Sequence, residues 1–187
     1  MLNFITNCDW TILNWVHANL TSPLLDTVMP KITLLGNEGI LWIAVMIALL
    51  ISKKYRRYGV ILGIGLLSGV LIGNLILKNL IARPRPCWID TSVTLLIPNP
   101  TDYSFPSGHT LSSAIAAVIL TCANRKFGIA AIPLAILIAF SRLYLYVHFP
   151  SDIIGGAILG LIIAAVVLKV NQKFGPMADR TGGMKRK

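Results

Sequence analysis

Lys78, Arg85, Ser107, Gly108, His109, Arg142, His148 and Asp152 fall in three short clusters set between apolar runs. The first cluster is Lys78-Asn79-Leu80-Ile81-Ala82-Arg83-Pro84-Arg85-Pro86, the second is Pro106-Ser107-Gly108-His109, and the third is Ser141-Arg142 followed by His148 and Asp152. Lys78, Arg85 and Arg142 suit a tetrahedral oxyanion, which accepts charge-assisted and partly bidentate hydrogen bonds from such groups. Against 17 Lys and Arg the chain has only 7 Asp and Glu, so no excess of carboxylates is expected to neutralise them. Ser107-Gly108 precedes an apolar run, so the first N–H groups of a helix should face outward there and favour an anion. Glycine lets the backbone approach its oxygens closely. His148 and Asp152 are four apart across a helix start, with Pro150 suited to the first turn. That spacing lets the carboxylate fix the imidazole tautomer and leave the other ring nitrogen free to attack. His109 belongs to a different run and can face the same anion; two histidines in unlike environments can divide the roles of nucleophile and acid.

Taken singly, each cluster has a plainer account: a loop end, a turn with a helix cap, a first-turn aspartate, an arginine at a lipid headgroup. Their order, and their gathering at one end of the apolar runs, make a site the better reading. Arg142 adds weight, because with a helix expected to end at 147 it lies about 9 Å inside a span, where an ionisable side chain is functional by default.

These residues need elements to position them. A chain of 187 residues suits one domain. It is 55% hydrophobic and 13% charged, with a mean hydropathy of +0.73, and its apolar residues are gathered in long runs. That composition points to an all-α polytopic membrane bundle of about five to six spans. The net charge of +10 sits in short segments between the runs, without a basic stripe interleaved with aromatics, so no nucleic acid partner is expected. The first fifteen residues carry neither early cations nor a long apolar core, so no cleavable signal peptide is expected. Cys8, Cys87 and Cys122 do not form a metal or disulfide framework by spacing, and a Cys8–Cys87 bridge stays open. No metal and no cofactor are expected.

Residues 4–20 mix tryptophans and aliphatics with Asn7, Asp9, Asn14, His17 and Asn19, the pattern of an amphipathic helix lying in the interface. Ser22-Pro23 should start a second helix running to about Leu35, interrupted by Gly36-Asn37-Glu38-Gly39. Spans are expected at 39–52, 58–77, about 109–123, 127–147 and 152–170. In the second of these, Gly59, Gly63, Gly65, Gly69 and Gly73 read as a close-packing face. Residues 1–170 form one membrane-embedded domain in this reading, and 171–187 a flexible basic tail in the cytoplasm. Lys53, Lys54, Arg56, Arg57, Arg125, Lys126, Lys169 and Lys173 lie on one side, which the positive-inside rule makes cytoplasmic. Lys78, Arg83, Arg85 and Arg142 depart from that rule, and anion binding at the extracytoplasmic face accounts for them.

On these residues the sequence resembles the type 2 phosphatidic acid phosphatase (PAP2) superfamily. The signature is Lys, six residues, Arg-Pro; Pro-Ser-Gly-His; and Ser-Arg, five residues, His, three residues, Asp. All three parts are present between 78 and 152. The spacing selects Arg85 and leaves Arg83-Pro84 incidental. The resemblance implies a helical bundle and a metal-independent hydrolase with a phosphohistidine intermediate. His148 would be the nucleophile, Asp152 its partner and His109 the acid, with Lys78, Arg85, Ser107, Gly108 and Arg142 binding phosphate. Many membrane members have six spans, so the resemblance implies that the first is missing here. The substrate must carry its phosphate at headgroup level with its tails in lipid, so membrane lipids are the expected partners; oligomeric state stays open. The 87–104 loop, with Trp88, Leu95, Leu96, Ile97 and Tyr103, resembles loops in small bacterial members acting on undecaprenyl diphosphate. That favours a carrier-lipid diphosphatase in the cell membrane, with a phosphatidylglycerol phosphate or phosphatidic acid phosphatase second. A lipid transporter is the alternative from another class; it would place charges near the membrane centre and often show repeats, whereas these charges gather at one face. Vanadium haloperoxidases share the motifs, but the known ones are soluble.

Overall fold

A computed structural model describes residues 2–174 of the chain. Helix α1 (Leu2–Leu20) is followed by α2 (Pro23–Gly36), a 3-10 turn at Asn37–Gly39, and α3 (Ile40–Ile51). Ser22 caps α2 by accepting from the Leu25 N–H, and Pro23 occupies the first turn, where its missing N–H costs nothing. Glu38 (φ 48°) and Gly39 (φ 68°) are left-handed, which bends the chain between α2 and α3. The two helices thus form one kinked crossing from Pro23 to Ile51, rather than a short span beginning at 39.

Helix α4 (Arg56–Gly69) continues as a π-helix over Val70–Leu77 and then as the single turn α5 (Lys78–Ile81). After the short α6 (Pro86–Ile89) an irregular loop leads to α7 (Gly108–Ala123), α8 (Arg125–Tyr144) and α9 (Pro150–Phe174). Among the described residues, four runs are long and apolar enough to cross a membrane, and α7 adds a shorter fifth. The chain is a multi-pass membrane protein.

Helix α7 is the centre of the bundle, packed against α3, α4, α8 and α9, with Leu111, Ile115, Ala116, Ile119 and Leu120 buried. At 16 residues it is about 24 Å long, less than a ~30 Å hydrocarbon core. Trp42 of α3 donates from Nε1 to Ser113 Oγ at 2.9 Å, satisfying both groups within the core. The glycines of α4 do pack, but on two faces rather than one. A methyl at Gly59 or Gly63 would strike Leu50 or Met46 of the α3 side, whereas one at Gly65, Gly69 or Gly73 would strike Ile115 or Leu111 of α7.

Two further boundaries differ from the sequence reading. Helix α8 stops at Tyr144, and Tyr146 turns left-handed (φ 59°), so Arg142 stands in the last turn instead of deep in a span ending at 147. The Tyr144 hydroxyl, which donates to Asp26 of α2, anchors that end. Helix α9 runs to Phe174, beyond the expected tail start at 171; the remainder of that tail lies outside the described residues. Cys8, Cys87 and Cys122 are all unpaired, so the Cys8–Cys87 bridge is not formed. Helix α1 lies against α8 and α9, burying Asp9, Leu13 and Val16 while Phe4, Ile5, Ile12 and Trp15 stay exposed. Its buried face carries a carboxylate, and its exposed residues mix Phe4, Ile5, Ile12 and Trp15 with Asn7, Thr11, Asn14 and Asn19, as suits a helix at the interface.

Candidate active site

All eight residues singled out in the sequence meet at one end of the bundle. The chain turn after α8 delivers His148, and the first turn of α9 delivers Asp152. His148 is 1% exposed and Asp152 fully buried. His148 Nδ1 lies 3.5 Å from Asp152 Oδ2, as the spacing of four requires. That is longer than a tight hydrogen bond, and Ser104 explains the gap. Its hydroxyl donates to the same carboxylate oxygen and stands 3.4 Å from His148 Nδ1. The Phe149 N–H also donates to Asp152 Oδ2, at 2.8 Å.

The opposite ring nitrogen, His148 Nε2, lies 3.0 Å from Arg85 Nη1. Nε2 therefore faces the cationic cluster and Nδ1 the carboxylate. Burial, followed by the nearby Arg85, Arg142 and Lys78 charges, holds the His148 imidazole well below the usual histidine range, so it is neutral at physiological pH.

Arg85 is 2% exposed and its donors are engaged. Nη1 also donates to Val147 O at 2.7 Å, Nε to Asp102 O at 2.6 Å, and Nη2 to Asp102 Oδ1 at 2.7 Å. Lys78 Nζ donates to the other Asp102 oxygen. The chain has no excess of carboxylates, as expected, but one of its few pairs with both of these cations. Asp102, on the loop before α7, folds back onto both and occupies the place of an anion. Its own burial would raise its pKa, but hydrogen bonding and charge from Lys78 and Arg85 prevail and lower it to about 2. Arg142 donates from Nη1 to Thr33 Oγ1 of α2, while its Nε is buried with no partner among the described residues. It has donor capacity still to spare.

Ser107 caps α7, its Oγ accepting from the Thr110 hydroxyl at 3.1 Å and from the Thr110 N–H at 3.5 Å. The Ser107 N–H is not outward and open as expected; it donates to Asp152 O at 3.1 Å, tying α7 to α9. The helix-start donors that face the cavity therefore begin at Gly108, which lines it together with His109. His109 Nε2 lies 2.9 Å from Asn37 Oδ1 in the kink between α2 and α3, and its ring fills the space a side chain at Gly36 would need.

The cations, His109 and His148 line one cavity of about 840 Å³. From them it runs along α3 and α4 past Val70, Leu67, Leu66, Met46 and Ile43. Fifteen residues at ~1.5 Å separate Lys78 from Gly63, so the cavity is about 22 Å long on its α4 wall. Leu67 is 60% exposed, so the wall opens sideways towards lipid. The 87–104 loop lines the cavity with its 97–102 stretch, from Ile97 to Asp102, whereas Trp88 and Leu95 pack on the cluster of Cys87, Tyr144 and Val147 instead.

Five participants escaped the sequence reading. Asp102 and Ser104 lie in an irregular loop with no periodicity to place them. Thr33 and Asn37 come from an element assigned only a structural role. Asn74, whose Oδ1 is buried without a partner among the described residues, sits beside Gly108 inside an apolar run. A polar side chain in such a run is a signal that could have found it.

The PAP2 superfamily profile matches residues 54–176. Undecaprenyl-diphosphatase of Sulfolobus acidocaldarius is 36% identical over 82% of this chain and 73% of that protein. Undecaprenyl-diphosphatase BcrC of Bacillus subtilis is 28% identical over 91% and 88%. Among solved structures, a transmembrane PAP2-type phosphatidylglycerolphosphate phosphatase from Bacillus subtilis superposes with a TM-score of 0.76 at 27% identity, covering 94% of this chain and 90% of that one.

Proposed function

The chain belongs to the PAP2 superfamily and is a membrane lipid phosphatase, and we propose that it converts undecaprenyl diphosphate to undecaprenyl phosphate at the extracytoplasmic face. The observation that carries this reading is the union of a buried cationic cluster and its histidine with a long apolar cavity open to lipid. A polyprenyl tail fits along α3 and α4, and its diphosphate reaches Lys78, Arg85 and Arg142.

In this reading the His148 Nε2 lone pair attacks the terminal phosphorus. The bond from that phosphorus to the bridging oxygen breaks, and its electron pair leaves with undecaprenyl phosphate. Asp152 stabilises the positive charge that develops on the ring through Nδ1–H. Lys78, Arg85, Arg142 and the Gly108 backbone N–H hold the equatorial oxygens as charge spreads over them. Asp102 must release Lys78 and Arg85 for this to occur. His109 protonates a leaving oxygen that needs a proton and then draws one from water, which attacks phosphorus and breaks the P–N bond to release phosphate. Lys and Arg supply the charge neutralisation, so activity should survive EDTA, and vanadate should inhibit as a five-coordinate mimic.

A second reading, a glycerolipid phosphatase, is supported by the likeness to the Bacillus subtilis phosphatidylglycerolphosphate enzyme. Purified protein in detergent should be given undecaprenyl diphosphate, phosphatidylglycerol phosphate and phosphatidic acid, with His148→Ala as control. The highest kcat/KM on the polyprenyl diphosphate supports the first reading, and preference for a glycerolipid supports the second. Phosphate release by His148→Ala equal to wild type would overturn both.

A further inference from the structure

Arg83 has no part in the reaction as derived so far, and the spacing of the cluster leaves it aside. Its contacts do not. Nη1 donates to Asp152 Oδ1 at 2.6 Å and to Ser151 Oγ at 2.7 Å, and Nη2 donates to Asp9 Oδ2 at 2.6 Å. Asp9 is 2% exposed on an otherwise apolar face of α1, and its Oδ1 accepts from the Ser151 N–H at 2.9 Å. The guanidinium lies 4.2 Å from the Phe149 ring centroid, beside His148. The Arg83 carbonyl accepts from the Ser104 N–H at 2.8 Å, and Ser104 is the residue whose hydroxyl reaches Asp152 and His148.

We infer that Arg83, seated between Asp9 and Asp152, is a positioning residue that holds the carboxylate orienting His148 and couples helix α1 to the reacting centre. Asp152 then spends one oxygen on Arg83 and the other on Ser104, Phe149 and the imidazole, so its plane is fixed from both sides. The local sequence prepares this. Ala82 is left-handed (φ 47°) and ends α5, and Pro84 keeps Arg83 out of the helical region, so the side chain leaves the α4 axis towards α9. One cation stands between two buried carboxylates, and removing it leaves both charges without their complement. The inference rests on His148 being the nucleophile.

A staple that merely fastens α1 to the bundle would have the same contacts, so the test must read charge at His148. The groups facing the His148–Asp152 pair are Asp9 from α1, Lys78, Arg83, Arg85 and Asp102 from the chain between α4 and α7, His109 from α7 and Arg142 from α8. Only Asp9 and Arg83 are varied. Arg83→Gln, Arg83→Lys and Asp9→Asn would be purified in detergent, their folded fraction measured by thermal melting, and kcat and KM followed against pH with the lipid diphosphate. In Arg83→Gln the Asp152 charge acts on the imidazole with less opposition, so the acid limb of kcat/KM should move to higher pH. In Asp9→Asn the Arg83 charge turns wholly on Asp152, so the limb should move to lower pH. The kcat of Arg83→Gln should fall about 10- to 100-fold, the scale of a slightly misplaced reacting group, with KM within about threefold. Arg83→Lys should recover part of the loss. Limbs that stay put or move together, or a folded Arg83→Gln or Arg83→Lys with wild-type kcat, would overturn the inference. If Arg83→Gln does not fold, the Asp9→Asn displacement and the kcat of Arg83→Lys decide alone. His148→Ala in the same assay separates the two levels: activity there defeats the nucleophile assignment, while an inactive His148→Ala with ordinary Asp9 and Arg83 variants defeats only the role of Arg83.

Discussion

At the residue scale the proposed chemistry divides between two histidines with different surroundings. His148 has a carboxylate at Nδ1 and a guanidinium at Nε2, whereas His109 rests on Asn37 with its ring against Gly36. His148→Ala should form no phosphoenzyme with any substrate. His109→Ala should lose about 10²–10⁴-fold on a lipid monoester, whose alkoxide needs a proton to leave, and much less on an aryl phosphate. It should also release a burst of aryl alcohol while acid-labile phosphate stays on the protein. Equal damage with both substrates and no trapped intermediate would sink the division of roles. The eight signature residues could be grouped from the sequence because they fall in three short motifs of chemically matched types, only the His148–Asp152 spacing reflecting a helix start. Asp102 was not, because nothing in an irregular loop says where its side chain lands. Its carboxylate stays ionised down to about pH 2, so over the working range it competes for Lys78 and Arg85. A competing group lowers apparent affinity by the fraction of sites it leaves open. Asp102→Asn should therefore tighten vanadate inhibition and lower KM about tenfold. A weaker vanadate effect in that variant would mean the carboxylate supports the anion rather than excludes it.

At the element scale, the bundle and its apolar runs followed from composition and span length, while the boundaries did not. Hydropathy reads through the Glu38–Gly39 kink and through the end of α8, because neither alters the apolar content on which it depends. The π segment Val70–Leu77 was equally hidden, although it alters which way Asn74 and Lys78 face. Glycine spacing announced close packing but not which glycine guards the site. Gly156 does: a methyl there would lie 2.7 Å from the Ser107 carbonyl oxygen and 3.4 Å from the Leu111 N–H, both backbone of the first turn of α7. Backbone cannot swing aside as a side chain can, so the start of α7 must move, and Ser107, Gly108 and His109 with it. Gly156→Ala should lower kcat/KM about 100-fold, the cost of a misplacement near 1 Å. Gly63→Ala meets only the flexible Met46 side chain at the far end of the cavity, so kcat should stay within about threefold and any change should fall on KM. Phosphate release from each variant, normalised to folded protein, checks the contrast. Equal losses would mean that α7 is not positioned by its contact with α9.

At the scale of the whole molecule, charge separates the two ends of the bundle. Arg57 of α4 donates to Asn171 Oδ1 of α9 at 2.6 Å, and Asn124 donates to the Tyr55 hydroxyl at 3.0 Å. Those bonds gather the α3–α4 turn, the α7–α8 turn and the end of α9 at one end, together with Lys53, Lys54, Arg56, Arg125, Lys126 and Lys169. The candidate site lies at the other end, where the cations are enclosed by Asp9, Asp102 and Asp152 instead of facing solvent. Lys78, Arg83, Arg85 and Arg142 depart from the positive-inside rule, and anion binding and these carboxylates account for them. Because Lys78, Arg85 and Arg142 would otherwise point the same face inward, orientation is the expectation most open to experiment. In a chain with Cys8, Cys87 and Cys122 replaced by serine or alanine, single cysteines at Thr91, Thr94 and Lys54 would be challenged in intact cells with a membrane-impermeant maleimide. Thr91 and Thr94 are exposed on the 87–104 loop at the site end, and Lys54 is exposed in the α3–α4 turn. Labelling at 91 and 94, with 54 reached only after permeabilisation, is expected. The reverse pattern would place the phosphohydrolase site in the cytoplasm, and the carrier lipid would then have to present its diphosphate on the inner leaflet.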